Sequence, residues 1–435
     1  MSFYIETYGC TSNKADSYIM SDLLKKSGYI LRSIEEADYI IINTCAVKEQ
    51  TENKIKARLK QLNALYSHNH DKHIIIAGCL PFIAKNYIKV IRTIIPNYSA
   101  IIDLNSINKI TEIFERIKNG ERNIIIKSKD RIDKANFLID YSREKITGII
   151  PISEGCQGSC TYCCVKNARG RLKSYNPKNI VKNVEYQLEQ GIKQIYLTSQ
   201  DCGIYEYDNI NLHDLVKMIV DLPYKFYLRI GMINPRFLVE NMHQVLSIFN
   251  LSKVYKFLHM PIQSGSDKIL ELMNRPYTIP ELVNRIAKLR DLFHDITIST
   301  DIICGFPGET EYDFYRTINF IKWLKPEILN ISKFTARPDT KAKQMNQLSN
   351  KIIKKRSMRL SKVFRNSIFT MNEKWMHREC EVLVLHGGSQ KNQAFSRNMA
   401  YKNVFLDDYN GEYGEFINVK ITKVDGFNLF GIKLD

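Results

Sequence analysis

Four short apolar runs near the start of the chain, Phe3–Thr7, Tyr39–Ile42, His73–Ala77 and Ala100–Asp103, alternate with amphipathic stretches near residues 14–27, 48–65, 82–94 and 106–118. This alternation limits the fold more than any other feature. Strands separated by helix-length connections cannot close hairpins; they lie parallel, with the helices packed on the sheet faces. A charged stretch from Glu121 to Lys145 then reads as a connector. From Ile146 the alternation restarts with a longer period, in runs at Ile146–Ile152, Gln194–Thr198, Lys225–Ile230, Val254–Met260, Ile296–Ile303 and Glu327–Ser332. Helical stretches such as Pro177–Gln190 and Pro280–Phe293 fill the gaps. Six βα units predict a partial TIM-type (β/α)6 barrel, with an open doubly wound sheet as the alternative. From about Asn372 the runs become short and β-rich (Cys380–Leu385, Tyr401–Leu406, Phe416–Thr422, Phe427–Leu434), separated by turn residues such as Asp425-Gly426. That pattern predicts a small all-β barrel. The expected division of this α/β chain is an N-terminal parallel-sheet domain at 1–120, a linker at 121–141, the partial barrel at 142–371 and the β-barrel at 372–435.

Charge narrows the partners. The 435 residues carry 63 Lys and Arg against 46 Asp and Glu, a net +17. The excess lies in three acid-free windows, Lys54–Lys60 with four bases, Lys166–Lys182 with six and Lys341–Arg365 with nine. Such windows favour a polyanion, nucleic acid before membrane; Lys-rich solvated helix faces are the plainer explanation. No apolar run approaches the ~18 residues of a spanning helix. The start, MSFYIETYGC, carries no basic leader, so a cytoplasmic protein is expected. In that compartment ten cysteines should be ligands, catalytic groups or inert core residues.

Cys156, Cys160 and Cys163 form a C-x3-C-x2-C run just after the first barrel strand. Closely spaced thiolates on one loop can reach a four-iron cubane together, and three of them leave one iron open to a substrate or cofactor. Zinc is the rival metal, although a structural zinc takes four ligands. Three unligated core cysteines would be the inert alternative, and Cys164 is a possible substitute for Cys163. The run, with Tyr162 before its last cysteine, resembles the signature of the radical S-adenosylmethionine superfamily. The resemblance implies a [4Fe–4S] cluster that binds S-adenosylmethionine and yields a 5′-deoxyadenosyl radical, with Tyr162 against the adenine. Gln263-Ser264-Gly265-Ser266 and Gly305-Phe-Pro-Gly308-Glu309-Thr310 are similar to the superfamily's cofactor-cradling segments, which gives Gln263, Ser264, Gly305 and Gly308 as candidate contacts. The superfamily's usual Gly-Gly-Glu stretch is replaced by Thr198-Ser199-Gln200-Asp201.

Cys10, Cys45 and Cys79 each follow an apolar strand, in FYIETYGC, YIIINTC and HIIIAGC. The carboxyl ends of parallel strands share one edge, where ligands bind, so these cysteines are expected to converge. Buried free cysteines at strand ends are the inert alternative. Together with Tyr8-Gly9-Cys10-x-x-Asn13-x-x-Asp16, Asn43-Thr44-Cys45-Ala46-Val47, Gly78-Cys79-Leu80-Pro81 and Arg169-Gly170, the arrangement resembles the radical S-adenosylmethionine methylthiotransferases over essentially the whole chain. That family implies a second [4Fe–4S] cluster on Cys10, Cys45 and Cys79, a second S-adenosylmethionine as methyl donor, and a TRAM domain at the C-terminus.

The opening Thr7-Tyr8-Gly9-Cys10-Thr11-Ser12-Asn13 looks most like the archaeal and eukaryotic branch acting on threonylcarbamoyladenosine in tRNA. Branches acting on isopentenyladenosine or on a ribosomal-protein aspartate are the alternatives, with a non-catalytic iron–sulfur RNA-binding protein as a third. The tRNA anticodon stem-loop is the implied partner, alongside a flavodoxin- or ferredoxin-like electron donor and a sulfur source; a monomer is expected. Lys54, Arg58, Arg169, Arg171, Lys173, Lys354, Lys355 and Arg356 are the candidate phosphate contacts. The tail from Asn372, with eight bases and nine acids, should grip phosphates poorly. Cys202, Cys304 and Cys380 read as small core residues, and His68, His70 and His73 as solvated or satisfied.

Overall fold

The computed structural model describes all residues except 68, 70, 142–145, 391 and 435, so His68 and His70 lie outside the described residues. The chain forms two compact units. The first comprises Met1–Asp140, Pro151–Asn183 and Thr335–Lys343; the second comprises Tyr141–Ile150, Val184–Phe334 and Gln344–Asp435.

The first unit is built on a six-stranded sheet of β1 (Ser2–Thr7), β2 (Ile30–Leu31), β3 (Tyr39–Thr44), β4 (His73–Gly78), β5 (Ala100–Ile102) and β6 (Ile124–Ile126). Its order is β2-β1-β3-β4-β5-β6, and every pairing is parallel. All six residues of β3 are buried, as a central strand covered on both faces requires. The helix Glu49–Tyr66 turns Ile55, Leu59 and Leu62 inward at helical spacing, and Glu49 and Glu52 oppose the positive end of its dipole. The register positions the cysteines. Thr7 pairs with Asn43, Asn43 with Ala77, and Thr44 with Gly78. Cys45 and Cys79 therefore stand immediately beyond neighbouring strand ends, and Cys10 is the N-cap of the helix Thr11–Lys26. Two strands depart from the expected pattern. Ile30–Leu31 and Ile124–Ile126 are too short to carry a period, and the second lies in the charged stretch read as a connector. Pairing of Ile124 with Ala100 recruits it as the sheet's last strand.

In the second unit, β7 (Thr147–Pro151), β8 (Gln194–Thr198), β9 (Tyr227–Arg229), β10 (Phe257–His259), β11 (Thr297–Cys304) and β12 (Ile328–Lys333) fall where the apolar runs predict them. They form two three-stranded sheets joined by a parallel bridge between Leu228 and Val254, the curved wall of a partial (β/α)6 barrel. Ile195, Leu197, Leu228, Leu258, Ile298 and Ile302 are buried, while Tyr196, Arg229, His259 and Asp301 at the alternate positions keep some exposure. Period-2 alternation thus gives this wall one apolar face and one polar face. A long helix, Asn350–Glu373, leads to a closed five-stranded barrel of β13 (Glu379–Gly387), β14 (Ala394–Asn398), β15 (Asn403–Leu406), β16 (Phe416–Asp425) and β17 (Asn428–Lys433). β14 has no signal in the apolar pattern because its buried positions are Ala394, Ser396 and Asn398. Among the described residues no helix is long and apolar enough to cross a membrane.

Candidate functional site

Cys10, Cys45 and Cys79 meet at the carboxyl edge of β1, β3 and β4. Cys45 and Cys79 are buried and Cys10 is exposed. Backbone geometry makes the convergence possible. Gly9 has φ +141°, and a Cβ there would stand 2.7 Å from Cys45 Cβ and 3.0 Å from its sulfur. Gly78, at φ +98°, lies so close to β3 that a Cβ would come within 2.3 Å of the Thr44 carbonyl oxygen. Both positions need glycine for conformation and for space. Two buried amides lock the edge: Asn13 donates to the Thr44 carbonyl (3.0 Å), and Asn43 donates to the Asn13 carbonyl and to Ser17 (both 2.8 Å). Desolvation pushes the Cys79 thiol up to about 12, with Arg169 opposing the shift and Cys45 and Cys10 adding to it. Cys45 is raised for the same first reason, then by Cys10. The three thiols thus sense one another, and thiolates here need positive charge nearby.

The loop after β7 carries the second set. Gly158 lies over it: its N–H donates to Cys156 Sγ at 3.2 Å, and a Cβ would stand 3.3 Å from that sulfur and 3.9 Å from Cys160 Sγ. Lys166 pins the loop through the Gly158 carbonyl (2.8 Å), and the Ala342 N–H donates to the Thr161 carbonyl (2.9 Å). Cys163 is accessible, yet desolvation and then Cys160 push its thiol up to about 11. Cys164 faces the opposite way. It is buried in the core of the first unit, and its thiol donates to the Ala46 carbonyl at 3.5 Å. That orientation removes it as a substitute for Cys163. Among the described residues no three His, Cys, Asp or Glu side chains are drawn together closely enough for one metal ion. Two sets of three thiols suit a cubane, which carries each thiolate on a separate iron.

Both sets belong to the first unit, and buried polar contacts tie them together. Asp16, Lys134, Glu154 and Arg169 form a closed quartet, each at most 5% exposed. Lys134 pairs with Asp16 (2.6 Å) and Glu154 (3.1 Å), and Arg169 pairs with Glu154 (2.7 Å) and Asp16 (3.2 Å). Burial opposes the Arg169 charge, but Cys79, Asp16, Glu154 and Cys10 more than offset it. A second link runs through Arg337, which pairs with Glu52 at 2.7 Å and donates to the Ala46 carbonyl at 3.0 Å, beside Cys45. Asp16 lies in the motif that the sequence displays. Lys134, Glu154 and Arg337 carry no such signal, because nothing local distinguishes a residue whose partners are far away in the chain.

In the second unit, Gln263 has φ +78°, unusual for a residue with a side chain, and is held by the β11 backbone through Asp301 and Ile303. Ser264 is buried, and its hydroxyl lies 3.4 Å from that of Thr317 while accepting the Ser266 N–H, so it shapes the turn. Gly305 and Gly308 both have positive φ, and the Gly305 N–H is taken by Glu309 at 2.9 Å. Tyr162, in the first unit, is partly exposed. Two expected phosphate contacts are corrected. Arg169 is locked in the quartet, and Arg356 is buried against Glu309 (2.6 Å), so neither guanidinium is presented to solvent. Arg58 is paired with Glu6, and Lys173 donates to the Arg131 carbonyl. Lys54, Arg171, Lys354 and Lys355 are exposed.

Known proteins resemble the chain throughout. Residues 2–99 match Uncharacterized protein family UPF0004, and residues 150–321 match the Radical SAM superfamily. A probable threonylcarbamoyladenosine tRNA methylthiotransferase from Pyrococcus horikoshii is 36% identical over 98% of both chains. The threonylcarbamoyladenosine tRNA methylthiotransferase of Drosophila melanogaster is 32% identical over 99% of this chain and 77% of its own. Among solved structures, the radical S-adenosylmethionine methyltransferase TsrM from Kitasatospora setae, with cobalamin and a [4Fe–4S] cluster bound, matches with a TM-score of 0.57, covering 78% of this chain and 73% of that one. The identity is 12%, so this likeness is one of fold.

The quartet gives a direct test of how the first unit is held. Asp16→Ala leaves two buried cations sharing one carboxylate and is expected to cost about 3–5 kcal/mol in urea unfolding. Asp16→Ala combined with Lys134→Met restores the charge balance and should recover part of that loss. Equal unfolding midpoints for Asp16→Ala and the wild type would show that the quartet does not bear on stability.

Proposed function

The chain belongs to the family of radical S-adenosylmethionine threonylcarbamoyladenosine tRNA methylthiotransferases, and on that footing we propose that it methylthiolates carbon 2 of N6-threonylcarbamoyladenosine, the base 3′ of the tRNA anticodon. The observation that best supports this reading is the gathering of two three-cysteine sets within one compact unit. Cys156, Cys160 and Cys163 would hold one [4Fe–4S] cluster, and Cys10, Cys45 and Cys79 the other. When bound, the clusters and S-adenosylmethionine supply the radical, sulfur and methyl chemistry that an unactivated aromatic carbon requires. Gly158 leaves room over the Cys156 and Cys160 sulfurs, and Arg169 holds a positive charge beside Cys79 and Cys10. Tyr162 and the turns at Gln263 and at Gly305–Gly308 are our candidates for S-adenosylmethionine contacts. The segments 1–120, 142–371 and 372–435 would be its evolutionary modules. A one-electron donor of the flavodoxin or ferredoxin type, a sulfur source and a cytoplasmic setting complete the reading.

RNA binding falls to exposed bases. The helix Asn350–Glu373 buries Ile353, Leu360, Phe364 and Ile368 and leaves Lys351, Lys354, Lys355, Lys362 and Arg365 in solvent. One face of a stable helix thus presents a row of cations. A base in an anticodon loop turns out of its stack at lower cost than one in a duplex, which suits a modifying enzyme.

Anaerobic reconstitution with S-adenosylmethionine, reductant and an anticodon stem-loop should yield the methylthio nucleoside by mass analysis only when the RNA carries the threonylcarbamoyl group. No product and no 5′-deoxyadenosine would refute the enzymatic reading. Reconstituted protein should hold about eight irons, falling by about four on Cys45→Ala or Cys160→Ala; four irons in the wild type would remove the second cluster. Replacing Lys351, Lys354, Lys355 and Lys362 with Gln should flatten the salt dependence of stem-loop binding, by about 0.7 to 0.9 in the log–log slope for each phosphate no longer neutralised. An unchanged slope would return this helix face to an ordinary solvated one.

A further inference from the structure

The polar face of the barrel wall carries a guanidinium that pairs with no acid among the described residues. Arg229, on β9, sits opposite Tyr196 of β8. Its guanidinium carbon lies 4.9 Å from the Tyr196 ring centre, 4.8 Å from that of Phe257 and 5.3 Å from that of Tyr401. Its Nε is buried without a hydrogen-bond partner. Among the described residues the Arg229 side chain makes no ion pair and no hydrogen bond, and three rings surround its guanidinium. Beside it Arg397 stacks on Tyr401 at 3.9 Å and donates to the Tyr196 hydroxyl (2.9 Å) and to Asn403 (3.1 Å), also with a buried, unpartnered Nε. The Tyr401 hydroxyl donates to Tyr196 as well, at 2.8 Å. Tyr196 therefore accepts two hydrogen bonds, and its own proton has no acceptor among the described residues.

Ring contacts hold a guanidinium in place but leave its in-plane N–H groups unsatisfied, at a cost when they are shielded from water. An arginine fixed by its faces offers its edge as a bidentate fork, the geometry that matches a carboxylate. Tyr196 adds a further donor. The threonyl group of threonylcarbamoyladenosine is joined through its nitrogen, so its carboxylate is free and is the one anion on the modified base. An isopentenyl group has no counterpart.

We propose that Arg229, assisted by Tyr196, receives the threonyl carboxylate and is the residue that selects this substrate. The proposal rests on the function given above. RNA phosphate is the other anion that could reach Arg229, and the test separates the two. Binding is measured by fluorescence anisotropy for two stem-loops that differ only in the threonyl carboxylate, free in one and methyl-esterified in the other. The wild type should prefer the free acid at least about tenfold; Arg229→Gln should bring the ratio of dissociation constants near one, and Arg229→Lys should restore part of it. Iron content and thermal melting report whether each variant folds, and the wild-type ratio needs no variant. A wild-type ratio near one, or an undiminished ratio in Arg229→Gln, overturns the proposal; an Arg229→Gln loss that is equal for acid and ester assigns the residue to phosphate and overturns it too. Methylthio product from the wild type with no acid preference would refute this inference alone, whereas an acid preference without product would refute the enzymatic function and leave the carboxylate site standing.

Discussion

The first unit depends on four buried charges. Asp16 comes from the helix that Cys10 caps, Lys134 from the segment following the sheet, Glu154 from the residues just ahead of the cluster loop, and Arg169 from the short helix behind it. Two cations and two anions, each touching both opposite partners, cancel in a place where a single unpaired charge would be costly. The quartet is therefore a joint that tolerates the loss of a balanced pair better than the loss of a single charge. It brings a loop from the second βα array onto a sheet built by the first 126 residues, which is why residues 151–183 pack with the N-terminal sheet. The same joint brings Arg169 beside the Cys79 thiol, where it opposes part of the rise that burial causes.

Around that joint the site is set by close approach of backbone. Gly9 and Gly78 lie where any Cβ would strike Cys45 or the Thr44 carbonyl, and Gly158 leaves the Cys156 sulfur uncovered. Cys163 and Cys164 show how finely one turn can sort neighbours. One thiol is accessible; the other is buried beneath Arg337 and donates to the Ala46 carbonyl. Arg337 lies almost three hundred residues beyond that carbonyl in the chain, so the loop that carries it closes the unit from the far side of the sequence.

The second unit uses alternation for a different purpose. One face of its barrel wall is mostly apolar, while Tyr196, Arg229, His259 and Asp301 occupy the other. The turn between β14 and β15 presses Tyr401, held at φ +62°, against Tyr255 and Phe257. The small C-terminal barrel thereby contributes Arg397 and Tyr401 to the polar face. Its near-zero charge fits a role in completing this face better than one in clamping phosphates.

Much of this was legible in the residues alone. All six barrel strands, four of the six sheet strands and the convergence of Cys10, Cys45 and Cys79 follow from period and position, because hydrophobic alternation and strand-end placement are local properties. Strands such as Ile124–Ile126 and Ala394–Asn398 were not, because their assignment comes from a neighbour's hydrogen bonds and not from their own pattern. The same division separates the charges. Sequence alone established that the chain is basic and where the bases lie. Only the tertiary structure decided that Arg169 and Arg356 are buried ion-pair members, that Lys354 and Lys355 face solvent, and that Arg229 pairs with no carboxylate among the described residues. The reason is physical: a cation's role depends on which distant groups share its space and on how much water remains, and neither is written within a few residues of it.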